Sequence, residues 1–214
     1  MRVNEQGRSM IEMLGVLAIV GVLSVGGIAG YSKAMAKFKA NKVIDQVTMI
    51  STNIRTLYAS QRTYNGLNNI LAKKTNAVPA EMYEKQSDSM ISNGFGGSVY
   101  ITTGYHLGKE DNAYVITFDS IPQAACVTMA TTDWGGDAGS GFAYMAINGA
   151  KDNTDTASGV GELNEASNVT ASTITGVTGW AIPGDKDNPS PMSVLTATEA
   201  CSSDTNNVFV WKYI

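Results

Sequence analysis

The sequence predicts an α+β fold, a long N-terminal α-helix, apolar in its first half, packed on an antiparallel β-sheet. Three observations carry that reading. An uncharged stretch runs from Met13 to Ser32, enough for a helix of about 30 Å that spans a hydrocarbon core. Helical spacing of apolar residues then continues through Ala40, Val43, Ile44, Val47, Ile50, Ile54, Leu57 and Tyr58, with Lys42, Asp45, Gln46, Asn53 and Arg55 between them. Beyond Gly97, short runs rich in Val, Ile, Tyr, Phe and Thr alternate with turn-forming segments.

Taken in order, the elements follow from local chemistry. No proline interrupts the chain from Met1 to Val78, so one helix can run from about Ser9 to Ser60. Its first half is apolar all round and its second half is amphipathic, which suits a sheet-packing face. Tyr64 through Asn76 reads as polar loop. Val78 to Met90 reads as a short helix with Pro79 at its first position. Asn93 to Gly97 is a turn cluster, followed by strands at Ser98–Thr103 and Ala113–Asp119. Ile121–Thr131 reads as a short helix carrying Cys126, and Phe142–Asn148 as a strand. Lys151–Gly179 has sparse apolar residues and reads as loop or short edge strands. Ser190–Ala200 reads as a capped short helix running into Cys201, and Val208–Tyr213 closes as a strand.

Composition narrows the function classes. The chain has 214 residues, only 16% of them charged, and 22 glycines. Once the N-terminal helix is set aside, that length suits one domain with a β-rich, loop-rich surface. A net charge of −4 and a pI near 5.0 provide no basic footprint, so no direct nucleic-acid partner is expected.

Glu12 is the most informative residue. A carboxylate at the head of a membrane-length apolar helix is costly, roughly 2.5–3.5 kcal/mol at mid-bilayer and less near an interface, and one kept there has a partner. An ordinary single-pass anchor has no use for it. Neither does a secretory signal cut at Ala34-Met35-Ala36, for which the apolar run is also too long. The surrounding residues, Gly7-Arg8-Ser9-Met10-Ile11-Glu12 followed by Met-Leu-Gly-Val-Leu-Ala-Ile-Val, resemble the processing site of a type IV pilin. Ser-Met-Ile-Glu stands where that family most often shows Thr-Leu-Ile-Glu. The Cys126–Cys201 length, with a helix near each cysteine, leans toward the type IVb class, whereas the short leader points the other way.

The resemblance implies a leader at residues 1–7, an apolar transmembrane or filament-core helix at 8–36, and an amphipathic half-helix plus globular head at 37–214. It implies cleavage after Gly7 by a prepilin peptidase, methylation of the new amine at Arg8, and neutralisation of a neighbour's amine by Glu12. The implied partners are copies of the chain in a helical homopolymer, the prepilin peptidase, the inner-membrane pilus assembly machinery, and the membrane before assembly. The implied locations are the bacterial inner membrane for the precursor and then an extracellular pilus. Arg8 departs from the Phe, Met or Leu usual at that position. It lies four residues before Glu12 and within reach of it on one helical turn. Lys33, Lys37, Lys39 and Lys42 follow the span, so a bare positive-inside count places the N-terminus outside, while the resemblance places it inside. Gly26 and Gly30 have the small-xxx-small spacing that admits close helix approach, although glycine is also simply common in membrane helices.

Two cysteines in an exported chain read as one disulfide, Cys126–Cys201, with two buried free thiols as the alternative. The segment from Cys126 to Cys201 resembles the disulfide-bounded C-terminal region of pilins.

Constellations for catalysis, cofactors or metals are not found. His106 is the single histidine, in a turn-like Gly104–Gly108 stretch. Glycine clusters lack a following Gly-Lys-Ser/Thr. Asp185-Lys186-Asp187-Asn188 begins like a calcium loop but lacks its glycine and closing glutamate. The expectation is a structural subunit and not an enzyme, with no cofactor. A minor pilin or type II secretion pseudopilin is one alternative. Another is a membrane-tethered carbohydrate binder using exposed Trp134, Trp180 and tyrosines. Loops around 133–140 and 151–189 are the expected partner-facing surface.

Overall fold

The computed structural model describes residues 10–84, 87, 89–106, 109–135, 139–148 and 178–214. The chain divides into two compact units, Met1–Phe38 and Lys39–Ile214. Helix α1 (Met10–Leu57) runs unbroken for 48 residues, as a chain without proline permits. It ends slightly before the expected Ser60, where Tyr58 N still donates to Ile54 O at 3.0 Å and a turn takes over.

In the second unit, α1 buries Ala40, Val43, Gln46, Val47, Ile50, Ser51 and Ile54. These recur three and four apart, the stripe a helix presents to a core. The stripe packs on a five-stranded sheet made of β1 (Val99–His106), β2 (Lys109–Ile121), β3 (Phe142–Asn148), β4 (Gly179–Ala181) and β5 (Asn207–Tyr213). The order is β1-β2-β5-β3-β4, and every neighbouring pair is antiparallel. The last strand is therefore central, with Trp211 opposite Ile116 on one side and Met145 on the other.

Position explains composition. All seven residues of β5 are buried. Phe209, Trp211 and Tyr213 join Tyr114, Ile116, Phe118 and the helix stripe in the main core, while Val208 and Val210 join Val115, Tyr144 and Ala146 in a second cluster. A strand covered on both faces loses the polar half of its alternation.

Several elements differ from expectation. The stretch read as loop contains helix α2 (Asn69–Lys74), capped by Asn68, whose Oδ1 accepts from Leu71 N at 2.9 Å. The helix expected over Val78–Met90 is reduced to a 3-10 turn at Ala80–Met82. Tyr83 bridges to Ile91 instead, and Ser92 N donates to Met82 O at 2.9 Å, so the backbone there satisfies itself across a turn. Strands β1 and β2 are longer than predicted, which places His106 at a strand end, paired with Lys109. Of Lys151–Gly179, residues 151–177 lie outside the described set and Gly179 opens β4.

Helix α3 (Gln123–Ala130) carries Cys126, and helix α4 (Val194–Ala200) ends on Cys201. Ser193, not Ser190, caps α4, its Oγ accepting from Thr196 N at 3.2 Å. Cys126 and Cys201 form a disulfide across a separation of 75 residues, with Cα atoms 5.9 Å apart. Both are fully buried in the main core. Gln123 Nε2 adds a bond to Cys201 O at 3.0 Å, so the two helices are tied twice.

The 93–97 turn is built around Asn93, whose Oδ1 accepts from Phe95 N at 2.8 Å and Gly97 N at 3.1 Å while its Nδ2 donates to Asp119 O at 2.8 Å. A Cβ at Gly97 would run into the Asp119 carbonyl, which makes glycine obligatory at that approach.

Candidate assembly site

The first unit carries an unusual surface. Every side chain from Met10 to Ala34 is exposed, and most of them are apolar. Ile11, Leu14, Leu17, Ile19, Val22, Leu23, Val25 and Ile28 are all more than half exposed. Each such side chain favours burial by roughly 1.5–3 kcal/mol, so a segment this long requires an apolar surrounding. By length and composition it is long enough to cross a membrane.

Glu12 stands in the first turn of α1, exposed among these residues. There the helix N-terminus favours an acidic group. Gly7 and Arg8 lie outside the described residues, as does any pairing of Arg8 with Glu12. Ser24, the one hydroxyl between Met13 and Gly30, donates back to Val20 O at 2.7 Å, so its polarity is absorbed within the helix. Nothing lies within 4 Å of the Cβ position at Gly15, Gly21, Gly26, Gly27 or Gly30, which leaves the 26/30 notch open.

The second half of α1 is fastened by polar groups on its flank. Glu81 takes Lys42 Nζ at 3.2 Å and Gln46 Nε2 at 3.1 Å. The Gln46 hydrogen bond first, and then Lys42, hold the Glu81 carboxyl below its ordinary range. Asn53 Nδ2 donates to Ala77 O at 3.1 Å, and Lys39 lies over the Phe95 ring at 5.8 Å. At the far end, Arg55 grips the turn before β3 through Nη1 to Ser140 O at 2.6 Å and Nη2 to Gly139 O at 2.7 Å. Gln46, expected on the polar side, is buried to reach Glu81.

The other predicted features take ordinary structural places. Burial, and then the charge of Lys212, lower the His106 pKa, and among the described residues no cluster of His, Cys, Asp or Glu is placed to hold a metal. Asp185 Oδ1 accepts from Asp187 N at 2.8 Å and Asn188 N at 2.9 Å, closing its own turn.

Trp134 corrects the carbohydrate-platform reading. It is only 8% exposed, its Nε1 donates to Met129 O at 2.9 Å, and its ring meets Trp211 edge-on at 5.0 Å. Its N–H is satisfied inside the core, so the indole has no reason to face solvent. Trp180 is half-buried against the second cluster.

One residue that sequence reasoning missed is Asn69. Its Nδ2 donates to Val99 O at 2.9 Å and its Oδ1 accepts from Ile101 N at 2.7 Å, so a side-chain amide closes part of the exposed edge of β1. The Asn68-Asn69 pair before Ile70 was the available signal, as a cap at a helix start.

Comparison with known families matches residues 33–179 to the family described as bundlin. The major structural subunit of bundle-forming pilus from Escherichia coli O127:H6 (strain E2348/69 / EPEC) is 30% identical over 135 residues, covering 61% of this chain and 66% of that protein. The toxin coregulated pilin of Vibrio cholerae is 25% identical over 153 residues, covering 68% of this chain and 63% of that protein. The chain thus spans just under two thirds of the length of these curated relatives. A crystal structure of a type IV pilin from Vibrio cholerae El Tor biotype shares the fold, with a TM-score of 0.54 at 19% identity over 82% of this chain and 99% of that one.

Proposed function

The chain belongs to the bundlin family and has the type IV pilin fold, and on that premise we propose that it is a structural subunit of a type IV pilus. The observation that carries this reading is the exposed apolar half of α1 with a single carboxylate, Glu12, at its head. Such a helix is built to be covered, first by lipid and then by its own copies.

Residues 1–7 form a leader removed after Gly7 by a prepilin peptidase. Residues 8–36 hold the precursor in the bacterial inner membrane, and residues 37–214 form the head. Cleavage creates an ammonium at Arg8, which is the site of N-methylation. Glu12 of one subunit neutralises that amine on its neighbour as the assembly machinery adds it to the filament. In a low-dielectric setting an unpaired charge is strongly unfavourable, whereas a pair breaks even, so this contact sets register more than raw stability. Each copy supplies one acid and one amine, the condition for open head-to-tail growth into an extracellular pilus. The major, type IVb role is the reading that the disulfide-bounded C-terminal region and the named relatives favour.

Glu12→Val tests the pairing. The variant is expected to insert in the membrane and form the Cys126–Cys201 bridge, yet to lose most surface filament. Filament yield equal to wild type would overturn the role assigned to Glu12.

A further inference from the structure

The far end of the apolar span has its own chemistry. Tyr31 and Phe38 are 67% and 62% exposed, and Lys33 and Lys37 between them are exposed as well. At about 100° per residue, Tyr31 and Phe38 fall on one face of the helix and Lys33 and Lys37 on another. From Glu12 to Lys33 the helix rises about 31 Å, matching a hydrocarbon core of about 30 Å. Tyr31 and Lys33 therefore lie at the headgroup boundary when Glu12 lies at the opposite boundary, with Lys37 and Phe38 about one turn further toward the water. Aromatic rings with a polar or interfacial preference and lysines on long apolar stems are the side chains that settle at that depth.

The lysines have no local use within the helix. Between Glu12 and Asp45 the chain carries no carboxylate, and neither ammonium has an ion pair among the described residues. Two like charges four apart on one face repel each other and slightly destabilise the helix. They also act against the orientation that the proposed processing requires, since they load the head side with positive charge. A compensating anion resolves both difficulties.

We propose that Lys33 and Lys37 form an anionic-lipid collar, which binds acidic phospholipid headgroups on the head side of the membrane and holds the subunit there before assembly. This rests on the reading of residues 8–36 as a membrane segment. The lipid phosphate supplies the counter-charge, and Tyr31 and Phe38 fix the depth at which the ammonium groups meet it.

The test uses the full chain, dispersed at low detergent and offered vesicles of phosphatidylcholine alone against vesicles that also contain phosphatidylglycerol. Wild type should accumulate on the phosphatidylglycerol vesicles. Lys33→Gln with Lys37→Gln should lower that preference about twenty-five-fold, about five-fold for each lysine. Uptake into phosphatidylcholine alone should be unchanged, and Lys33→Arg with Lys37→Arg should keep the preference. Added salt should erode it, because the interaction is screened over about 10 Å at 0.1 M. Equal preference in the glutamine variant and wild type would overturn the collar and leave a neighbouring subunit's carboxylates as the partner. Failure of wild type to enter either vesicle would instead overturn the membrane segment itself.

Discussion

At the scale of single residues, Cys126 and Cys201 matter because both are fully buried and join two short helices in the main core. Helices of seven and eight residues are too short to persist alone. Cys126→Ser or Cys201→Ser is expected to destabilise the head by about 2–5 kcal/mol while leaving membrane insertion intact. Denaturant unfolding in detergent reads this directly, and an unchanged midpoint would show that the bridge carries no stability. Their pairing was legible because two cysteines permit one partner choice. Trp134 was not legible in the same way. A tryptophan beside Gly-Gly-Asp looks like a loop residue, and only the placement of Met129 O and Trp211 shows that it folds inward. Asn69 was hidden for a similar reason, since a side chain that finishes a strand edge leaves no periodic trace.

At the scale of elements, α1 performs two tasks along one axis. Its periodicity was readable throughout, because a 3.6-residue stripe over Ala40–Ile54 and an all-round apolar run before it have distinct signatures. The two halves should respond differently to truncation. Ile50→Ala is expected to cost about 2–5 kcal/mol of head stability, since Ile50 is fully buried in the main core. Leu23→Ala, at a position 69% exposed, should leave head unfolding unchanged and act only on partition and assembly. A comparable loss of head stability from both substitutions would contradict this division. The shorter elements were less readable. The Val78–Met90 stretch has helix-compatible residues and Pro79 at a favourable position, yet Tyr83 and Ile91 pair across it and leave one 3-10 turn. Non-local pairing overrides local propensity there, which no window of sequence reports.

At the scale of the whole molecule, the antiparallel sheet was inferred from strand-like runs, but its order was not. Nothing in Val208–Tyr213 announces the central strand except that, Lys212 apart, both of its faces are apolar, the mark of a strand covered on each side. That placement inserts the last strand between β2 and β3 and closes the core over the helix stripe. The functional reading depends on a different part of the chain, residues 1–12, where a short motif stands ahead of an apolar helix. The most direct measurement is the intact mass and N-terminal sequence of the protein recovered from the cell surface. A chain beginning at Arg8, with or without one added methyl group, is the predicted result and establishes processing as a pilus subunit. A chain beginning at Lys37, or one retaining Met1, would contradict it.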